Sequence, residues 1–141
     1  MEGRYSKFIG IIHFIGDVVL LNSAFLIAAA LRFGNGFELN DHYRQLWFIL
    51  NLIWVVVVYI TKVYEIARVQ SVEKVTVNLF RSNVLMALMA SSFIFSLKGY
   101  YYSRQQLLFT FAIFAISQFG WRMLMLHLLN RYRQSGFNYR R

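Results

Sequence analysis

Apolar residues in this chain gather into four long stretches, Phe8–Leu31, Leu46–Tyr64, Val77–Leu97 and Leu107–Leu129, separated by short polar and basic segments. Each has the ~17–25 residues that a helix needs to cross the hydrocarbon core. The run Val55–Val58 would suit a buried strand in water, but the length of the stretch around it decides for a helix. The pattern predicts an all-α, polytopic membrane protein: a four-helix transmembrane bundle over residues 1–135, with spans at about 8–31, 46–64, 77–97 and 107–129.

The connections carry their own signals. Gly34-Asn35-Gly36 is turn chemistry. Tyr43 and Trp47 stand where an outer aromatic anchor is expected, and Tyr100, Tyr101 and Tyr102 read as an interfacial belt. Ser71 is placed to cap the third helix, with Glu73 favourable in its first turn. Alternatively, Val63, Ile66, Ala67 and Val69 lie along the lipid surface as a short interfacial segment. The fourth helix is expected from near Ser103 into Asn130-Arg131-Tyr132-Arg133.

Composition narrows the function classes. Apolar residues make up 58% of the chain and charged residues 15%, too little polar surface for a soluble fold. Proline is absent, so nothing signals a broken or re-entrant helix. Cysteine is absent too, which excludes disulfides, thiolate catalysis and cysteine metal sites. The first stretch is longer than the ~7–15 residues of a signal-peptide core and carries Asp17, so it is read as a span.

The net charge of +9 raises nucleic acid as a partner, but the placement of the charges argues against it. Arg4, Lys7, Lys62, Arg68, Lys74, Arg81, Arg122, Arg131, Arg133, Arg140 and Arg141 fall on one side of the predicted bundle; Arg32, Arg44, Lys98 and Arg104 fall on the other. The positive-inside rule puts both termini in the cytoplasm. Membrane lipid is the partner implied, and Arg131, Arg133, Arg140 and Arg141 are the residues expected at the anionic surface.

Candidate chemistry is sparse. His13 and Asp17 share a face of the first span at i, i+4, close to the small residues Gly10, Ala24 and Ala28. Ala115, Gln118 and Arg122 share a stripe on the fourth. Asp17 lies ~15 Å and Arg122 ~12 Å from the cytoplasmic ends of their spans, counted at ~1.5 Å per residue. Opposite charges at matched depth are better paired than alone in lipid, so an Asp17–Arg122 pair is expected, with His13 or Gln118 as a hydrogen-bonding neighbour. Such a cluster serves as a proton relay, an ion or substrate site, or a polar clamp for helix packing. A single acid within the spans favours the clamp. Arg81, close to Asn83 at the start of the third span, and His127 read as interfacial. The histidines His13, His42 and His127 lack metal-site spacing, and no catalytic residues, metal or cofactor are implied.

The ending Arg131-Tyr132-Arg133-Gln134-Ser135-Gly136-Phe137-Asn138-Tyr139-Arg140-Arg141 is basic, turns at Ser135-Gly136 and then looks like the start of a strand. Here the chain resembles the N-terminal membrane region of the bacterial polyprenyl-phosphate (undecaprenyl-phosphate) glycosyl-1-phosphate transferases, the large multi-span kind that start exopolysaccharide synthesis. In that family an Arg-rich stretch and a Gly-x-Asn-x-Arg-Arg type segment follow the fourth span; Gly136, Asn138, Arg140 and Arg141 match it. Asp17, Arg32-Phe33, Tyr64, Arg68, Ser71 and Glu73 are also similar to the family. The resemblance implies a bacterial inner-membrane domain whose residues 136–141 begin a linker or strand toward a cytoplasmic domain missing from this chain. It implies polyprenyl phosphate and a second copy of the bundle as partners. The family's catalytic region has a re-entrant helix and an adjacent Asp-Glu pair; this chain has neither that pair nor a proline. The expected role is therefore membrane anchoring and assembly. The alternative is a small four-span carrier, flippase-like, for polyprenyl-linked sugars.

Overall fold

Four helices follow from the four apolar stretches, and the boundaries show where local chemistry overrides hydropathy. The computed structural model describes residues 2–64, 71–98 and 102–134. They form α1 (Glu2–Phe33), α2 (Asp41–Thr61), α3 (Val72–Ser96) and α4 (Arg104–Gln134).

The second helix is shifted toward the N-terminus relative to the expected 46–64. Asn40 is extended at its N-cap and Asp41 is in its first turn, where a carboxylate suits the helix dipole. It stops at Thr61 because Lys62 adopts the left-handed conformation, φ 50°, and returns its N–H to the Val58 carbonyl. Tyr64 is thereby released from the helix. The third helix starts at Val72 rather than Val77, since Ser71 Oγ accepts from the Lys74 N–H at 3.3 Å. The outer turn bends at Gly34, whose φ of +83° favours glycine.

The helices pack in a ring. The first lies against the second and the fourth, the third also lies against the second and the fourth, and the diagonal helices α2 and α4 meet through side chains at the centre. Arg32 near the end of α1 meets Ser103 before the start of α4, with Nε to Oγ 3.2 Å, while Asp17 meets Arg122 farther along. Neighbours are therefore antiparallel, in an up-down-up-down bundle. The first and last described residues lie at the same end.

Inside and outside are inverted relative to a soluble bundle. Leu21, Phe25, Leu50, Trp54, Met86 and Phe114 fill the centre, with the Trp54 and Phe114 rings edge to face at 5.1 Å. Yet His13, Asp17, Ser82, Gln106, Thr110, Gln118 and Arg122 are buried as well. The exterior instead carries large apolar side chains on every helix, among them Ile15, Phe48, Phe80 and Ile116. All four helices are long and apolar enough to span a membrane. Such a surface is at home in lipid, and the chain is a multi-pass membrane protein.

At the end away from the termini, Phe33, Phe37, Tyr43 and Tyr102 pack as an aromatic cluster. Tyr43, expected as an aromatic anchor, is buried in this cluster, and its hydroxyl accepts from the Ser103 N–H at 3.1 Å. Trp47 is partly exposed but donates through Nε1 to Asn22 Oδ1 in the α1–α2 seam. Tyr100 and Tyr101, and residues 65–70 of the alternative interfacial segment, lie outside the described residues.

Candidate functional site

The buried polar residues converge on one layer of the bundle. The stripe of α1 that carries Asp17 also carries Leu21, Ala24 and Ala28, all buried, so it faces inward. Just before Asp17 sits a glycine that the packing requires. A Cβ on Gly16 would lie 2.8 Å from the Trp121 ring, so only hydrogen there lets α1 approach α4 this closely.

That approach brings the two charges together. Arg122 Nη2 donates to Asp17 Oδ2 at 3.0 Å, with the Asp17 side chain fully buried and the Arg122 side chain 7% exposed. The same carboxylate oxygen accepts from the Tyr64 hydroxyl at 2.5 Å. The guanidinium also stands 5.0 Å from the Tyr64 ring centroid, within reach of a cation–π contact. Asp17, Arg122 and Tyr64 thus form a triangle of α1, α4 and the chain just after α2.

The other seams carry polar links too. Asn83 Nδ2 donates to Gln118 Oε1 at 2.7 Å, joining α3 to α4. Ser82 Oγ donates to Thr61 Oγ1 at 3.2 Å, joining α3 to α2. Asn22 and Asn51 exchange side-chain hydrogen bonds at 3.2 and 3.1 Å, joining α1 to α2. Every seam of the ring is therefore pinned by a hydrogen bond that lipid cannot replace.

Of the expected site residues, the structure pairs Asp17 with Arg122 and places His13 and Gln118 beside them, Gln118 as the neighbour of the Asp17 carboxylate. Gln118 lies against Asp17 but bonds to Asn83; its Nε2 and Asp17 Oδ1 are buried without a hydrogen-bond partner among the described residues. His13 makes no bond to the pair, and its Nδ1 is likewise buried and unpartnered. It lines a cleft of about 30 Å³ with Arg122, Asn78, Val63 and Leu126. Tyr64 is a second neighbour of that carboxylate, and Asn83 is part of the network.

Arg81 and His127 are exposed, as is Arg131 on α4. The Arg133 side chain, Arg140, Arg141 and the expected strand start at 136–141 lie outside the described residues, as do Arg68, Gly136 and Asn138. No metal-type group of three or more His, Cys, Asp or Glu occurs among the described residues. Chemically, Asp17 Oδ2 serves as the counter-ion of Arg122 and also accepts from the Tyr64 hydroxyl. No protein-family model, curated protein or solved structure matches the chain.

Proposed function

We propose that this chain is the membrane-anchoring and assembly domain of an undecaprenyl-phosphate sugar-phosphate transferase that initiates exopolysaccharide or capsule synthesis. In this reading it lies in the bacterial inner membrane with both termini cytoplasmic. It holds a catalytic part at the surface and contributes no catalytic group of its own. The observation that carries an anchoring role is the closure of the bundle's polar layer. Asp17 bonds to Arg122 and Tyr64, Asn83 bonds to Gln118 across another seam, and the cleft that reaches Arg122 holds only about 30 Å³. A site for a small organic ligand needs ~300–1,000 Å³.

The transferase part of the reading is supported by the family-like residues of the C-terminal segment and of the connection after α2. The orientation is supported by the basic residues, most of which belong to the end that bears both termini. Lipid covers the apolar exterior, and a second copy would dock on that same surface. The carrier alternative asks for a passage wide enough for a sugar, and the small cleft counts against it.

The test is purified chain incubated with a labelled nucleotide sugar and polyprenyl phosphate. No polyprenyl-diphospho-sugar should form. When the cytoplasmic catalytic part is supplied in the same membrane, activity should depend on covalent linkage to this bundle. Product formation by this chain alone would refute the anchoring reading.

A further inference from the structure

The fourth helix turns a mostly polar row into the bundle. Gln106, Thr110, Phe114, Gln118 and Arg122 follow one another at every fourth residue, and all five are buried. Successive members are neighbours on the helix surface. From Gln106 to Arg122 the row rises ~24 Å at ~1.5 Å per residue, most of the ~30 Å hydrocarbon core. Phe114 is its one apolar member.

Pinning of the helices explains only half of this row. Gln118 and Arg122 bond across the seams to Asn83 and Asp17. Thr110 Oγ1 instead donates to the Gln106 carbonyl of its own helix at 2.8 Å. The Gln106 side chain is wholly buried, and neither its Nε2 nor its Oε1 has a hydrogen-bond partner. An unpartnered amide inside a membrane is costly, and an apolar residue would pack there without that cost. What the row does supply is a hydrogen-bonding group for water at successive depths.

Both ends of the row lead outward. At the end that bears the termini, Arg122 lines the cleft beside His13 and Asn78. At the other end the Gln106 N–H donates to Ser103 Oγ at 3.4 Å, and the same oxygen accepts from the exposed Arg32 at 3.2 Å. The row is broken at the middle. There Trp54 of α2 reaches across the diagonal and meets the Phe114 ring edge to face at 5.1 Å, both side chains fully buried. Unpartnered buried polar atoms lie on either side of the break: the Gln106 amide toward one end, Gln118 Nε2 and Asp17 Oδ1 toward the other.

We propose that the Trp54–Phe114 contact is a seal, interrupting a path for water and protons that the polar row would otherwise complete across the membrane. Asp17 neutralises Arg122, so no uncompensated charge in the row repels a proton. The proposal does not rest on the transferase reading; it holds for any role of the bundle.

The experiment follows proton uptake into vesicles of neutral lipid that hold a pH-sensitive dye and the purified full chain. A potassium gradient with valinomycin drives protons inward. The parent chain should match protein-free vesicles. Phe114→Ala leaves a void between Thr110 and Gln118, and polar-lined voids take up water where apolar ones stay dry. A hydrogen bond regained in the gap is worth about tenfold, so this variant should take up protons about tenfold faster than the parent. Phe114→Leu refills the place with apolar atoms and should stay at the parent rate. Adding Gln106→Leu and Thr110→Val to Phe114→Ala should return uptake to the parent rate, whereas a bundle that merely loosened would go on leaking. Phe114→Gln keeps more of the volume and extends the polar row; it should also conduct, and it decides the matter if Phe114→Ala does not fold. Uptake by the parent chain above protein-free vesicles, a folded Phe114→Ala or Phe114→Gln at the parent rate, or a leak that survives Gln106→Leu with Thr110→Val would each overturn the proposal.

Discussion

Replacing Arg122 by Met leaves the Asp17 carboxylate fully buried, with the Tyr64 hydroxyl as its hydrogen-bond donor. Breaking a buried pair in this way costs about 3–5 kcal/mol, roughly two to three and a half powers of ten in the folding equilibrium. Asp17→Leu in the same chain removes the stranded charge. What remains unsatisfied is the Tyr64 hydroxyl, worth about 1–3 kcal/mol. The double variant should therefore be more stable than Arg122→Met by about 1–3 kcal/mol. The low end is expected if the unfolded helices stay in the membrane and find other partners. Adding Tyr64→Phe should recover part of the remaining deficit. The assay is unfolding from mixed micelles with increasing dodecyl sulfate, followed by tryptophan fluorescence. Trp54 packs on Phe114 and Trp121 packs against Gly16, so both report on helix separation. A double variant no more stable than Arg122→Met would refute the reasoning, because the pair would then not be coupled.

Three further outcomes are expected. Gly16→Ala places a methyl against the Trp121 ring and should destabilise by about 1–3 kcal/mol by overpacking, with recovery when Trp121→Ala is added; the same micelle titration checks it. Asn22→Leu breaks the bonds to Asn51 and Trp47 and should cost about 0.6–2 kcal/mol in a double-mutant cycle with Asn51→Leu. Cysteines introduced at Gly36 and Gln70 in this cysteine-free chain should be labelled from outside the cell at Gly36 alone, and labelling of Gln70 with Gly36 protected would invert the orientation.

The spans were legible because length and apolarity are read directly from the residues, without tertiary knowledge. Asp17 and Arg122 were legible as a pair because lone charges in lipid are so unfavourable that matched depth is a strong signal. Tyr64 was not, since its freedom to turn onto Asp17 depends on Lys62 taking a left-handed conformation more usual for glycine. Nothing local in the residues around Lys62 announces that break. Asn83 carries no charge, so depth gave no signal for its bond to Gln118, which depends on how α3 and α4 face each other. Gly16 drew no attention as an isolated glycine; its meaning lies in a ring on a helix more than a hundred residues away.

The central claim is that this bundle is a closed scaffold, pinned across its seams, and not a passage. Its most direct test is translocation of a short-chain polyprenyl-linked sugar in vesicles reconstituted with the purified chain. The account predicts transfer between leaflets at the rate of protein-free vesicles, for the parent chain and for Arg122→Met/Asp17→Leu alike. Translocation that scales with the amount of protein and is lost in that double variant would contradict it.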